Sequence, residues 1–261
     1  MNNYDINNFN MDFFSLKGKN ALVTGGNSGL GQAFALALAK AGANIFVVSY
    51  ADDDGTTQKL IEEAGVKYKY QRADITKDGI CDELVDSCVA AFGSIDILLN
   101  CAGIGLVADV QDFGRKQWDP MIAVNLTAAF ELSHAAAKYM IKQNSGKIIN
   151  ICSLFSFLGG LGSPAYAAMK HGLAGFTKSY ADELGKYNIQ VTGIAPGYFA
   201  TDITKGTRSN PETNKKVLDH IPSNRWGERQ DLMGACVFLA SKASDYVTGT
   251  LLTVDGGYLV R

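Results

Sequence analysis

The chain has 261 residues, 47% of them hydrophobic, and a formal net charge of −2. That length holds a large core in one α/β domain, the near-neutral charge leaves no basic face for nucleic acid, and no apolar run approaches the roughly 18 residues a membrane span needs. Five cysteines (81, 88, 101, 152 and 236), odd in number and without a C-x-x-C pair, read as reduced thiols of a cytoplasmic protein, and the three scattered histidines form no metal site.

Residues 1–13 lack the basic and apolar regions of a signal peptide. They are expected to be a polar, mobile leader before a single domain over 14–261. Short β-branched runs then alternate with helical patterns. Strands are predicted at 20–24, 44–49, 68–72, 95–100, 147–152, 189–194 and 251–254. Helices are predicted near 29–41, 56–65, 78–92, 117–143, 164–186 and 229–240. Near-continuous apolar strands between helices imply an α/β, doubly wound parallel sheet of seven strands, covered on both faces. Segment 197–227 mixes Gly, Asn, Pro and charge, and is expected to be an irregular lid over a site.

The first strand runs through Thr24-Gly25-Gly26-Asn27-Ser28-Gly29-Leu30-Gly31 into an Ala/Leu-rich helix. A strand, a glycine turn and a helix in that order aim backbone N–H groups and a positive helix end at a pyrophosphate. Gly25 permits the turn, Gly29 lets the backbone approach phosphates, and Gly31 lets the helix pack on the strand. The spacing is G-x-x-x-G-x-G, not the commoner G-x-G-x-x-G. Further on, Tyr166 and Lys170 stand four residues apart and share a helix face. An ammonium beside a phenol favours phenolate, and such a tyrosine can exchange a proton with a substrate oxygen. Ser153, at the end of a strand thirteen residues earlier, can hold the same oxygen. Alone, Y-x-x-x-K is also a common accident on a helix surface.

The remaining motifs decide between these readings. Thr24-Gly25…Gly29-Leu30-Gly31, Asn100-Cys101-Ala102-Gly103, Asn125, Ser153, Tyr166-x-x-x-Lys170 and Pro196-Gly197 follow one another in the order and spacing of the short-chain dehydrogenase/reductase family, which the chain resembles from Phe14 to Arg261. The resemblance implies a nicotinamide cofactor across the carboxyl ends of the strands and hydride transfer to or from a carbinol or carbonyl carbon. It makes Tyr166 the general acid/base, Ser153 the holder of the substrate oxygen, and Lys170 the partner of both the tyrosine and the nicotinamide ribose. Asn125 would anchor a water linking Lys170 to solvent; its alternative is a plain hydrogen bond inside a helix. Asn27, Ser28 and Leu30 would complete the phosphate turn, with Asp74 and Ile75 at the adenine. Asn100, Ala102 and Gly103 would line the adenosine ribose, with Pro196, Gly197 and Thr201 on the nicotinamide side. Where the family often has a second Asn, this chain has Cys101.

The cofactor is expected to be NAD. Strand two ends in Ser49-Tyr50-Ala51-Asp52-Asp53-Asp54, without the acid usual at the Ser49 position, but no Arg or Lys lies between Lys40 and Lys59. Three carboxylates disfavour a phosphate dianion. They serve either as a solvated loop and helix cap or as ribose contacts.

Phe14-Ser-Leu-Lys-Gly-Lys19, Ala195-Pro-Gly-Tyr-Phe-Ala-Thr201 and the Arg225-Trp226-Gly227 region look like the 2-dehydro-3-deoxy-D-gluconate 5-dehydrogenase and gluconate 5-dehydrogenase group within the family. That likeness implies a sugar-acid substrate, and a carboxylate calls for a cation. The residues after the N-A-G motif are Ile104, Gly105 and Leu106, and Phe155, Phe157 and Leu158 follow the serine. Arg115, Lys205 or Arg208 are candidates for the missing charge, with Arg225 either a further one or structural. A neutral polyol or ketone stays open, as does a catalytically silent NAD-binding regulator on the same fold. The intact Asn125–Ser153–Tyr166–Lys170 set argues against the regulator. The resemblance also implies a homotetramer through the two long helices, whose small faces Ala135–Ala137 and Gly172–Gly175 suit either a subunit interface or the monomer core.

Overall fold

The computed structural model describes residues 6–160, 162–202 and 204–261. Seven strands, β1 (Asn20–Thr24), β2 (Asn44–Ser49), β3 (Tyr68–Arg72), β4 (Ile97–Asn100), β5 (Gly146–Ile151), β6 (Ile189–Pro196) and β7 (Leu251–Val254), form one sheet in the order β3-β2-β1-β4-β5-β6-β7. Every neighbouring pair is parallel. The order reverses between β1 and β4, which opens a crevice at the carboxyl ends of those strands. Part of the expected leader, residues 1–5, lies outside the described residues, while Ile6–Asn8 and Met11–Phe14 form single 3₁₀ turns.

The helices are α1 (Gly29–Lys40), α2 (Thr56–Glu63), α3 (Ile80–Phe92), α4 (Arg115–Ile122), α5 (Ala128–Gln143), α6 (Pro164–Leu184), α7 (Lys205–Ser209), α8 (Pro211–His220) and α9 (Met233–Ala240). The pleat explains the continuous apolar strands. Ala21 and Val23 of β1, with Ile97 and Leu99 of β4, face one cluster with Phe34 and Leu38 of α1 and Leu239 of α9. Leu22 and Leu98, one residue out of phase, face the other with Leu84 of α3, Leu132 of α5 and Leu184 of α6. A strand buried on both faces has no polar phase to show.

Two elements differ from expectation. The single helix expected over 117–143 is broken by a π-turn at Ala123–Thr127 between α4 and α5. The apolar pattern runs through the bulge because one inserted residue shifts the helix face only partway round. The lid segment, expected to be irregular, carries α7 and α8. Asn210 caps α8 by accepting from the N–H groups of Glu212 and Thr213, and Pro211 takes the first helical position. The Asn-Pro pair that reads as a loop is therefore a helix start.

Candidate active site

The glycine turn closes around backbone atoms. Thr24 Oγ1 accepts from the N–H groups of both Cys101 and Ala102 at 3.0 Å, tying the ends of β1 and β4 across the crevice. Gly25 has φ +67°, and a Cβ on Gly31 would lie 2.1 Å from the Gly25 carbonyl oxygen. Only glycine lets α1 start this close to the strand. A Cβ on Gly29 would meet nothing within 4 Å, and Ser28 caps α1 without a side-chain hydrogen bond. The first N–H groups of a twelve-residue helix therefore have no side-chain cap, which fits a pyrophosphate. Leu30 packs its side chain on the core and offers only its backbone. Asn27 is spent differently: its Nδ2 donates to the carbonyls of Ala51 (3.1 Å) and Asp52 (3.3 Å), and its Oδ1 accepts from Ser49 Oγ at 2.7 Å. It pins the loop after β2 to the turn.

Downstream, the residues expected around adenosine divide. Asp74 accepts from the hydroxyl and N–H of Thr76, which holds its carboxyl below the ordinary value. Ile75 is buried in the core, so its backbone alone is available. Asn100 turns its side chain inward and offers the crevice only its backbone. Its Nδ2 donates to Asn150 Oδ1 (2.9 Å), Ser133 Oγ (3.0 Å) and the Ala129 carbonyl (3.4 Å), and Asn150 passes the chain on to Thr177. An amide at 6% exposure has to find partners inside, so this side chain links β4, β5 and α5 and does not face the crevice. Ala102 and Gly103 stay at its edge, where a Cβ on Gly103 would lie 2.4 Å from Asn125 Oδ1.

Asn125 sits in the π-turn, buried to 4% exposure. Its Nδ2 donates to the carbonyls of Met121 (2.9 Å) and Ile104 (3.0 Å), and its Oδ1 accepts from the Ile104 N–H. The side chain thus replaces a helix bond that the wider turn gives up, and it clamps the loop after β4. Both amide hydrogens are thereby used, which leaves Oδ1 and the main chain as the places that could hold a water.

Ser153 follows β5 and Tyr166 lies in the first turn of α6. Ser153 Oγ accepts from the Phe155 N–H at 3.2 Å, capping a 3₁₀ turn and keeping its own proton free to donate. Lys170, at 6% exposure, donates from Nζ to the Ile151 carbonyl at 2.6 Å, and its Nζ lies 5.6 Å from the centre of the Tyr166 ring. The strand end thereby carries the serine and anchors the lysine that stands beside the tyrosine. Ser156, which the motif reading passed over, supports both: its Oγ donates to the Lys170 carbonyl and accepts from the Ser153 N–H. The S-x-x-S spacing was its only signal.

On the side expected for the nicotinamide, Pro196 ends β6. A Cβ on Gly197 would fall 2.6 Å from Asp255 Cα, so this glycine serves packing on the segment after β7. Thr201 is held in a turn by Thr204, and its carbonyl accepts from Arg208 Nη2 at 2.9 Å.

The expected carboxylate cations are largely engaged. Arg115 pairs with Asp119 at 2.6 Å, Arg208 holds the Thr201 turn, and Arg225 makes a fork with both Asp231 oxygens, so it is structural. Lys205 lies exposed at the start of α7. The rim beside Tyr166 is apolar. Phe155 meets the Tyr166 ring edge-on at 5.7 Å, and Phe157 and Leu158 are 48% and 38% exposed. Ile104 and Leu106 belong to the loop tied to this rim by Ser163 Oγ donating to the Leu106 carbonyl. Among the described residues no cluster of three or more potential ligands suits a metal, and no helix is long and apolar enough to cross a membrane.

The loop after β2 holds a residue that the motifs missed. Arg72, at the end of β3 and in register with Ser49, donates from Nε to the Tyr50 carbonyl (3.1 Å) and from Nη1 to the Asp52 carboxylate (3.0 Å). No Arg or Lys lies between Lys40 and Lys59, yet sheet pairing brings an arginine to the end of β2 from a strand 20 residues away. Asp53 and Asp54 take the structural role. Asp53 accepts from Tyr68 and from the Gly55 N–H, and Asp54 accepts from the Thr56 N–H at the start of α2.

A family model described as enoyl-(acyl carrier protein) reductase matches residues 25–259. The uncharacterized oxidoreductase YgcW of Escherichia coli (strain K12) is 68% identical over 256 residues, covering 98% of each chain. The 2-dehydro-3-deoxy-D-gluconate 5-dehydrogenase of the same organism is 47% identical over 250 residues, 95% of this chain and 98% of that one. Among solved structures, a gluconate 5-dehydrogenase from Burkholderia cenocepacia J2315 in complex with NADP and tartrate matches with a TM-score of 0.91 at 35% identity, covering 96% of this chain and 98% of that chain.

Proposed function

The chain belongs to the short-chain dehydrogenase/reductase family, and from that premise we propose that it interconverts a secondary alcohol and a ketone on a sugar acid such as 2-dehydro-3-deoxy-D-gluconate, with NAD(H) as cofactor. Lys170, buried, tied to the Ile151 carbonyl and standing over the Tyr166 ring, is the observation that carries this reading. When bound, the nicotinamide supplies the hydride acceptor or donor. In the oxidative direction Tyr166 takes the hydroxyl proton of the substrate, and in the reductive direction it returns one to the carbonyl oxygen. Ser153 donates a hydrogen bond to that oxygen. Lys170 stands beside the tyrosine ring and binds the nicotinamide ribose. The main chain of Asn125 anchors the water that relays the proton onward. Gly25, Ser28, Gly29, Leu30 and Gly31 bind the pyrophosphate, Asp74, Ile75, Ala102 and Gly103 the adenosine, and Pro196, Gly197 and Thr201 the nicotinamide side.

One observation favours a second substrate class. The rim beside Tyr166 is apolar, and Arg115, Arg208 and Arg225 are already engaged. A neutral polyol or ketone would need no cation there. The test is NADH oxidation against a panel of keto sugar acids and neutral ketoses, repeated with NADPH. Turnover of a keto sugar acid with NADH supports the first reading, and inactivity on every carboxylate ends it.

A homotetramer is also proposed, through α5 and α6. The structure assigns Ala135–Ala137 to the monomer's own core, at 5% exposure or less. The outer face that remains carries Phe130 (45% exposed), edge-on to Phe176 and Tyr180, beside exposed Gly172 and Gly175. A cytoplasmic setting suits the free cysteines, since burial pushes the Cys81 and Cys88 thiols up to about 12.

A further inference from the structure

Resting on the sugar-acid reading above, we infer that Arg208 takes the substrate carboxylate and so sets the preference for an acid over a neutral ketose. The state of its charge separates it from the other candidates. Arg115 and Arg225 each face a carboxylate, Asp119 and Asp231, whereas Arg208 makes no ion pair among the described residues. Neutral oxygens hold its guanidinium: Nη2 donates to the Thr201 carbonyl at 2.9 Å and Nε to Thr204 Oγ1 at 3.3 Å. Such bonds orient the guanidinium and leave its charge uncancelled, and the remaining N–H groups stay available to an anion. The side chain is half-buried, and a cation partly withdrawn from water gains most from an incoming counter-ion. Lys205, also on α7, is exposed, and an ammonium lacks the planar fork that matches a carboxylate.

The backbone brings this charge to the root of the lid. In the sheet Ile151 of β5 stands opposite Ile194 of β6, so the chain leaves Pro196 at the end where Ser153 stands. The next turn is pinned, with the Ala200 N–H donating to the Gly227 carbonyl and the Gly227 N–H to the Tyr198 carbonyl, both at 2.9 Å. The lid is therefore free to differ from Thr201 onward. α7 folds back on that point, which is how a side chain seven residues further on meets the Thr201 carbonyl. Thr213 Oγ1 donates to the Thr207 carbonyl at 2.8 Å and ties the end of α7 to the start of α8. A carboxylate bound by the spare N–H groups breaks none of these bonds, so one side chain holds the turn and receives the acid.

The experiment compares the full-length parent, Arg208→Lys and Arg208→Gln in steady-state reduction with NADH. The substrates are the keto sugar acid that the parent reduces fastest and the neutral ketoses of the same panel, and NADH affinity is titrated on each preparation. Gln keeps an N–H donor for the Thr201 carbonyl and loses the charge. Arg208→Gln is expected to raise KM for the acid by about 10- to 100-fold, with a much smaller change in kcat. KM for a neutral ketose and NADH affinity are expected to move by no more than about threefold. Arg208→Lys is expected to fall between parent and Gln, since it restores the charge without the fork. An unchanged KM for the acid in Arg208→Gln overturns the proposal. So does a matching loss for a neutral ketose or for NADH, which would assign Arg208 to holding the Thr201 turn. A parent that reduces no keto sugar acid ends the sugar-acid reading and this assignment with it, whereas an active parent with an unaffected Gln variant ends the assignment alone.

Discussion

Two regions meet at Tyr166 and are built on different terms. On the sheet side, Lys170, Asn125 and Ser153 are between 4% and 8% exposed, and each is fixed by at least one hydrogen bond to backbone. On the rim side, Phe157 and Leu158 stand 48% and 38% exposed on the short stretch after Ser153. The arginines near the lid are held by their own neighbours, as Arg225 is by Asp231. The groups proposed to react thus rest on packed elements that cannot relax without breaking the core, while the surfaces proposed for the rest of a substrate are loops with little holding them. A fold of this kind keeps its reaction and changes its substrate at the rim.

The largest expected break in this comparison comes from the sheet side. Lys170→Met removes the ammonium beside the tyrosine and its bond to Ile151, and turnover is expected to fall by about 10²- to 10⁴-fold. Steady-state rates at saturating cofactor check this. Gly31→Ala forces a Cβ to 2.1 Å from the Gly25 carbonyl. Thermal unfolding is expected to show a loss of about 1–3 kcal/mol, with weaker NADH binding in the same variant. Asn125→Ala unties Ile104 and Met121, at about 1–3 kcal/mol for buried partners left unmade. Denaturant titration measures it, and a loss within error would show that the clamp is not structural. Phe157→Ala sharpens the contrast from the rim: stability is expected to stay within about 0.5 kcal/mol, while KM for the carbon substrate moves and kcat follows little. A large stability loss there would erase the distinction between the two regions.

The legible parts of the chain were those with local signals. The bounds of β1 and β2 match the apolar runs, because a buried parallel strand is a short continuous run between turn residues, and the less buried β3 and β7 were legible from β-forming residues between turns. The glycine turn and Tyr166-x-x-x-Lys170 were equally plain, since each is a fixed spacing within one element. What escaped reading depends on distance through space. The π-turn at Asn125 keeps the apolar pattern of a helix, and its trace is in the backbone bonds alone. Arg72 reaches the β2 loop by register across two strands, and a search limited to Lys40–Lys59 could not contain it. Asn100 has the motif position of a crevice residue, yet its side chain turns to Asn150 and Ser133 because β4 and α5 leave a polar gap there.

Tyr166 is proposed to move the proton while the rest of the site binds and orients. The most direct measurement is turnover of the Tyr166→Phe variant, with NADH affinity titrated on the same preparation. NADH binding is expected within about threefold of the parent, with a turnover loss of about 10²-fold or more. A variant that binds NADH normally and retains full turnover would contradict it.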